Sequence, residues 1–127
     1  MSSESEIRSR YLALALDARR VIDSLIILVD KREREEGLDK NLEDVIVALE
    51  QKDIFSPDRN RLAFSEYYEQ VRTVDEALKE RGEIIQMLSV VRSNQADIAE
   101  QQEDAYKAIQ LLSAIESRAL FYYRPQP

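Results

Sequence analysis

Residues 7–29 read IRSRYLALALDARRVIDSLIILV, and the rhythm of this stretch decides the fold. Ile7, Tyr11, Leu14, Ala18, Val21, Leu25 and Leu28 recur at alternating steps of four and three. Side chains at those steps stack on one face of an α-helix. Ala15, Ile22 and Val29 widen the stripe, while Arg8, Asp17, Arg19, Asp23 and Asp30 lie mostly away from it. Leu12, Leu16, Ile26 and Ile27 also fall off the stripe, which leaves the second half of the helix apolar nearly all round. A helix of that kind is enclosed by neighbours on several sides. The expectation is a central post in an antiparallel four-helix bundle, all-α, with two long helices, a short one and an intermediate one.

The rest of the chain is read outward from that helix. Ser3 with Glu6 has capping-box spacing, so the helix starts near Glu4. It ends in the charged run 30–36, a solvated helix end, with Gly37 as a left-handed stop. At 1.5 Å per residue it is roughly 45–50 Å long. Asp39 or Asn41 caps a second helix that reaches about Lys52, with Leu42, Val45, Ile46 and Leu49 on its inner face. Ser56 and Pro57 form the clearest break, with Ile54 and Phe55 closing the end of the core.

A third helix carries Leu62, Phe64, Tyr67, Val71, Val74 and Leu78, then Ile84, Ile85, Met87, Leu88, Val90 and Val91, and tolerates Gly82 in its interior. A last turn falls at Ser93-Asn94, where Asn94 with Asp97 offers a cap. Without a turn, residues 58–123 would form a helix approaching 100 Å. The fourth helix carries Ile98, Ala105, Ile109, Leu112, Ala119 and Tyr123 and stops at Arg124-Pro125. The whole is expected to be one domain over residues 1–127.

Composition narrows the chemistry. Only two Gly and three Pro occur in 127 residues, too few for a strand-and-turn protein. The formal net charge is −7, with Lys and Arg interleaved among Asp and Glu, so no nucleic-acid partner is expected. There is no Cys and no His. That removes thiol nucleophiles, disulfides, Ser-His and Cys-His triads, and the Glu-x-x-His ligands of di-iron bundles. No stretch is long and apolar enough to span a membrane, and residues 1–6 lack the order of a signal peptide. The expected location is the cytoplasm, with no membrane partner and no cofactor.

Two kinds of constellation remain. Glu33/Glu36, Glu66/Glu69, Glu80/Glu83 and Glu100/Glu103 share Glu-x-x-Glu spacing, which sets both carboxylates on one helix face. Two such pairs on facing helices suit Mg²⁺, an arrangement of the type used by all-α nucleotide pyrophosphohydrolases, but the basic spacing suited to a triphosphate is missing. With 25 acidic residues in the chain such pairs also arise by composition alone. The second constellation is a partner-binding set. Asp97, Glu100, Glu103 and Asp104 line the start of the fourth helix, Tyr68 points away from Phe64, and Phe121, Tyr122 and Tyr123 cannot all face one core. Exposed tyrosines are frequent binding anchors.

The leading expectation is therefore a non-catalytic protein-binding module. Its most concrete form is a small acidic inhibitor or immunity-type protein that occludes a basic partner such as a toxin. The alternatives are a homo-oligomeric scaffold and a Mg²⁺-dependent pyrophosphohydrolase-like enzyme.

Overall fold

The computed structural model describes the backbone of residues 4–51, 74–93 and 97–123, with side chains at Glu6, 8–51, 81–92, 97–120 and Tyr123. Among these residues there are four α-helices and no strand: α1 (Glu4–Lys31), α2 (Leu38–Glu50), α3 (Val74–Ser93) and α4 (Ile98–Tyr123). The expected features at Ser3, Ile54, Phe55, Ser56, Pro57, Leu62, Phe64, Tyr67, Tyr68, Val71, Asn94 and Arg124-Pro125 lie outside the described residues, as do the side chains of Ile7, Val74 and Leu78.

The seam read from the sequence is the core of α1. Tyr11, Leu14, Ala15, Ala18, Val21, Ile22, Leu25 and Leu28 are all buried. Facing them are Leu38, Leu42, Val45, Ile46 and Leu49 of α2, Ile84, Leu88 and Val91 of α3, and Ala105, Ala108, Leu112, Ile115 and Ala119 of α4. The helices close a ring in which α1 touches α2 and α4, α3 touches α2 and α4, and the α1–α4 seam is the most extensive. Alanines at Ala15, Ala18, Ala105, Ala108 and Ala119 line that interior, and small side chains let helix axes come close.

Polar contacts along the α1–α4 seam fix its direction. Arg8 Nε donates to the Tyr123 carbonyl, Arg19 binds Glu116, and Gln102 reaches the carbonyl of Val29. Numbers rise along one helix as they fall along the other, so this pair runs antiparallel.

Two sequence expectations are corrected. First, among the described residues α1 is a member of the ring and not a post at its centre. Leu16 is 51% exposed and Ile26 40% exposed, on the outer side of the helix. Among the described residues the main neighbours of α1 are α2 and α4, and they leave this sector exposed. Secondly, α1 ends at Lys31, within the charged run as expected, but Gly37 is not its stop. Arg32 takes the left-handed conformation at φ 59°, and its N–H still bonds the Leu28 carbonyl at 3.0 Å. This is the single-bond left-handed helix ending, made by an arginine where glycine is usual. Gly37 is right-handed at φ −78° and starts α2 with no side-chain cap, so neither Asp39 nor Asn41 has the capping role expected of it.

Helix α3 runs through Gly82 without interruption, and a Cβ there would meet nothing within 4 Å. The break between α3 and α4 falls after Ser93, as expected, but the cap is Asp97. Its Oδ1 accepts the Glu100 N–H at 3.0 Å, and its carbonyl accepts the Gln101 N–H at 3.1 Å. Among the described residues no helix is long and apolar enough to cross a membrane.

Candidate protein-binding surface

The start of α4 is built by its own sequence. Asp97 and Glu100 stand at the cap and third helical positions, the arrangement that satisfies free amides at a helix start and sets carboxylates at its positive end. Both are exposed, as is Glu103, whose nearest cation is Lys107 at 3.9 Å. Asp104 is half-buried. Part of this acidic set thus has a folding role at the helix start, and Glu103 lies exposed beyond the cap.

A second acidic segment lies beside the first. The link is Arg34, in the loop between α1 and α2. Its guanidinium donates to the carbonyls of Val91 at 3.1 Å and Arg92 at 3.0 Å, at the end of α3. It also donates to Gln101 Oε1 at 3.4 Å on α4 and is paired with Asp39. The neighbouring Gln102 donates to the Val29 carbonyl at 2.7 Å and more weakly to Leu28 at 3.4 Å, at the end of α1. Helix ends leave carbonyls without intrahelical partners, and these two side chains satisfy carbonyls on α1 and α3 while tying three elements together. Arg92 is in turn paired with Glu43 of α2.

The consequence is geometric. With Arg34 held inward, Glu33, Glu35 and Glu36 of the same loop are exposed, and they sit at the end of the bundle that carries Asp97, Glu100 and Glu103. Neither Arg34 nor the two glutamines carry an apolar rhythm, and the run 31–36 reads from sequence as a plain solvated helix end. The one available signal was that Gln101 and Gln102 fall where the core pattern of α4 is weakest.

The aromatic half of the candidate set divides. Tyr123 is half-buried and packs against the core, and its carbonyl accepts the Arg8 Nε–H at 3.1 Å. Tyr68 and the side chains of Phe121 and Tyr122 lie outside the described residues. Tyr106, absent from the candidate set, is the most exposed large apolar side chain described, at 60%.

Two ionic features complete the surface. Arg19 makes a two-pronged contact with Glu116 across the α1–α4 seam, Nε to Oε2 at 2.8 Å and Nη2 to Oε1 at 2.6 Å. That contact holds the Arg19 guanidinium above its ordinary range. On the α1–α2 side, burial pushes the Asp17 carboxyl up, and Asp44 adds to this against the weaker opposing pull of Arg20 and Lys40. Of the Glu-x-x-Glu pairs, Glu83, Glu100 and Glu103 are exposed, and Glu66, Glu69 and the Glu80 side chain lie outside the described residues. Among the described residues no three acidic side chains gather in a group able to hold a metal ion.

In comparison with known proteins the chain matches no family model, no curated protein and no solved structure.

Proposed function

We propose that this protein is a binding module without catalysis, whose acidic end docks on a basic protein surface and occludes it, in the manner of an inhibitor or immunity protein. The observation that carries the reading is the pairing of two exposed acidic segments, Glu33-Arg34-Glu35-Glu36 and Asp97 to Glu103, at one end of the bundle. Complementary charge steers encounter and sets on-rate, and a chain of net charge −7 supplies the long-range field. Arg34, Gln101 and Gln102 hold the two segments in fixed relation, which lowers the ordering cost of binding. The absence of His and Cys from the sequence favours binding over acid–base or thiol chemistry. A Mg²⁺-dependent hydrolase draws little support from Glu83, Glu100 and Glu103, which stand in solvent without converging.

The test is association with basic proteins encoded beside this gene, followed by stopped-flow or surface plasmon resonance across a salt series. The wild-type on-rate is expected to fall steeply with salt. Reversal of Glu33, Glu35, Glu100 and Glu103 to Lys is expected to lower it by about tenfold or more. Should no neighbouring basic product bind, or should the reversed variant associate as fast as wild type, the reading fails.

A further inference from the structure

The outer sector of α1 carries a second stripe that the other described helices leave exposed. Leu16, Arg19, Asp23 and Ile26 follow at steps of three, four and three, so they share one face. Leu16 and Ile26 are exposed, at 51% and 40%. Leu12 and Ile27, half-buried, border the stripe, and Tyr106 on α4 stands one turn from Gln102, which itself reaches α1.

The stripe is also symmetric. Leu16 and Ile26 lie five residues either side of Val21, and Arg19 and Asp23 lie two residues either side of it, with opposite charges. We propose that a second copy of this chain docks here, α1 against α1, antiparallel, with the two-fold axis at the level of Val21. Such a contact is isologous: it sets Leu16 against Ile26 of the second copy and Arg19 against Asp23 of the second copy, twice over. A parallel contact in register would set Arg19 against Arg19 and Asp23 against Asp23, so the charge order selects the antiparallel arrangement. Glu116 already holds Arg19 in place by its two-pronged contact, and Asp23 lies 3.7 Å from Arg19 within the same helix. The charged centre of the stripe is therefore ordered before the second copy arrives. From Leu12 to Ile27 the face is about 22 Å long. This face lies on the side of α1 and is separate from the acidic end, so the two proposals stand or fall independently.

The chain has no Cys, which permits a clean cross-linking test. Light scattering of the wild-type protein over a concentration series is expected to rise from the 14.8 kDa of one chain towards twice that mass. The double variant Leu16→Glu, Ile26→Glu is expected to stay monomeric, with the dissociation constant raised at least about tenfold and with an unchanged circular dichroism melt. Leu16→Cys and Ile26→Cys proteins, mixed and oxidised, are expected to form a disulfide-linked heterodimer. Either variant alone is not, because equivalent positions would be about 15 Å apart, beyond disulfide reach. A wild-type monomer at every concentration, a dimer that survives the double Glu substitution, or cross-linking of either single variant as readily as the mixture overturns the proposal. Should the double variant fail to fold, the cross-linking pattern alone decides.

Discussion

The body of α1 and its carboxyl end are held by different physics. From Tyr11 to Leu28 the helix is fastened by apolar burial, one side chain after another on a single stripe. From Val29 to Gly37 the fastening is polar and comes from afar: Gln102 on the Val29 carbonyl, Arg34 on the carbonyls of Val91 and Arg92, and a left-handed arginine at position 32. Burial is distributed, since each seam position contributes its own area. The polar end is specific and shared, since one loop guanidinium serves three helices.

Substitutions sharpen that difference, beginning with the body. Leu25→Ala, in the fully buried stripe, is expected to cost about 2–5 kcal/mol. Leu16→Ala, on the uncovered side of the same helix, is expected to cost less than about 0.5 kcal/mol when measured at dilutions where the chain is monomeric. Urea unfolding of both variants tests the pair, and equal losses would show that the two sides of α1 are equally enclosed.

At the polar end, Arg34→Ala removes a charged donor from two helix-terminal carbonyls and is expected to cost roughly 1.5–3 kcal/mol. Arg34→Lys is not expected to restore it, because an ammonium lacks the planar fork that spans several acceptors. Hydrogen exchange then reports faster opening of the last turn of α3 in both variants, and rescue by lysine would break the distinction between the two regions. Arg32→Gly acts in the other direction. Relief of the left-handed backbone at φ 59° is expected to stabilise the fold by about 0.5–1 kcal/mol, read as a higher urea midpoint.

The smallest effect belongs to Asp17, at the edge of the body. Its carboxyl is raised by burial first and by Asp44 second. The folded chain therefore holds this proton more tightly than the unfolded chain does. The stability it contributes is full below the unfolded value and is lost as pH rises through the raised folded one. Asp17→Asn is expected to flatten the dependence of melting temperature on pH in that window and to leave neutral-pH stability equal or slightly higher. An unchanged slope would mean that Asp17 does not titrate in the fold.

The same division explains what could be read in advance. The stripe of α1, the inner face of α2 and the break after Ser93 were legible because apolar periodicity is a local signal, repeated over many residues. The position of Arg34 was not, because its acceptors are backbone carbonyls far along the chain, and any residue type would offer them. Gly37 misled for a related reason: a glycine near a helix end suggests the left-handed stop, yet position 32 had taken that conformation. Excess apolar residues on α1 were legible as Leu12, Leu16, Ile26 and Ile27, but not their geometry, since enclosure by neighbours and exposure on a ring begin from the same sequence. Of the candidate binding residues, Glu103 keeps its expected openness, Asp97 proves to be a cap, and Tyr123 is anchored against the core.

The most extensive seam joins the first described helix to the last. While the chain is being synthesised, α1 leaves the ribosome long before α4, and Leu14, Val21 and Leu25 have no α4 surface to pack on until translation has reached that helix. Folding of this domain is thus gated by the completion of a distant segment, a high-contact-order closure in an otherwise local helical topology. In the interval the nascent helix presents its greasiest side to whatever chaperone or sister chain is near.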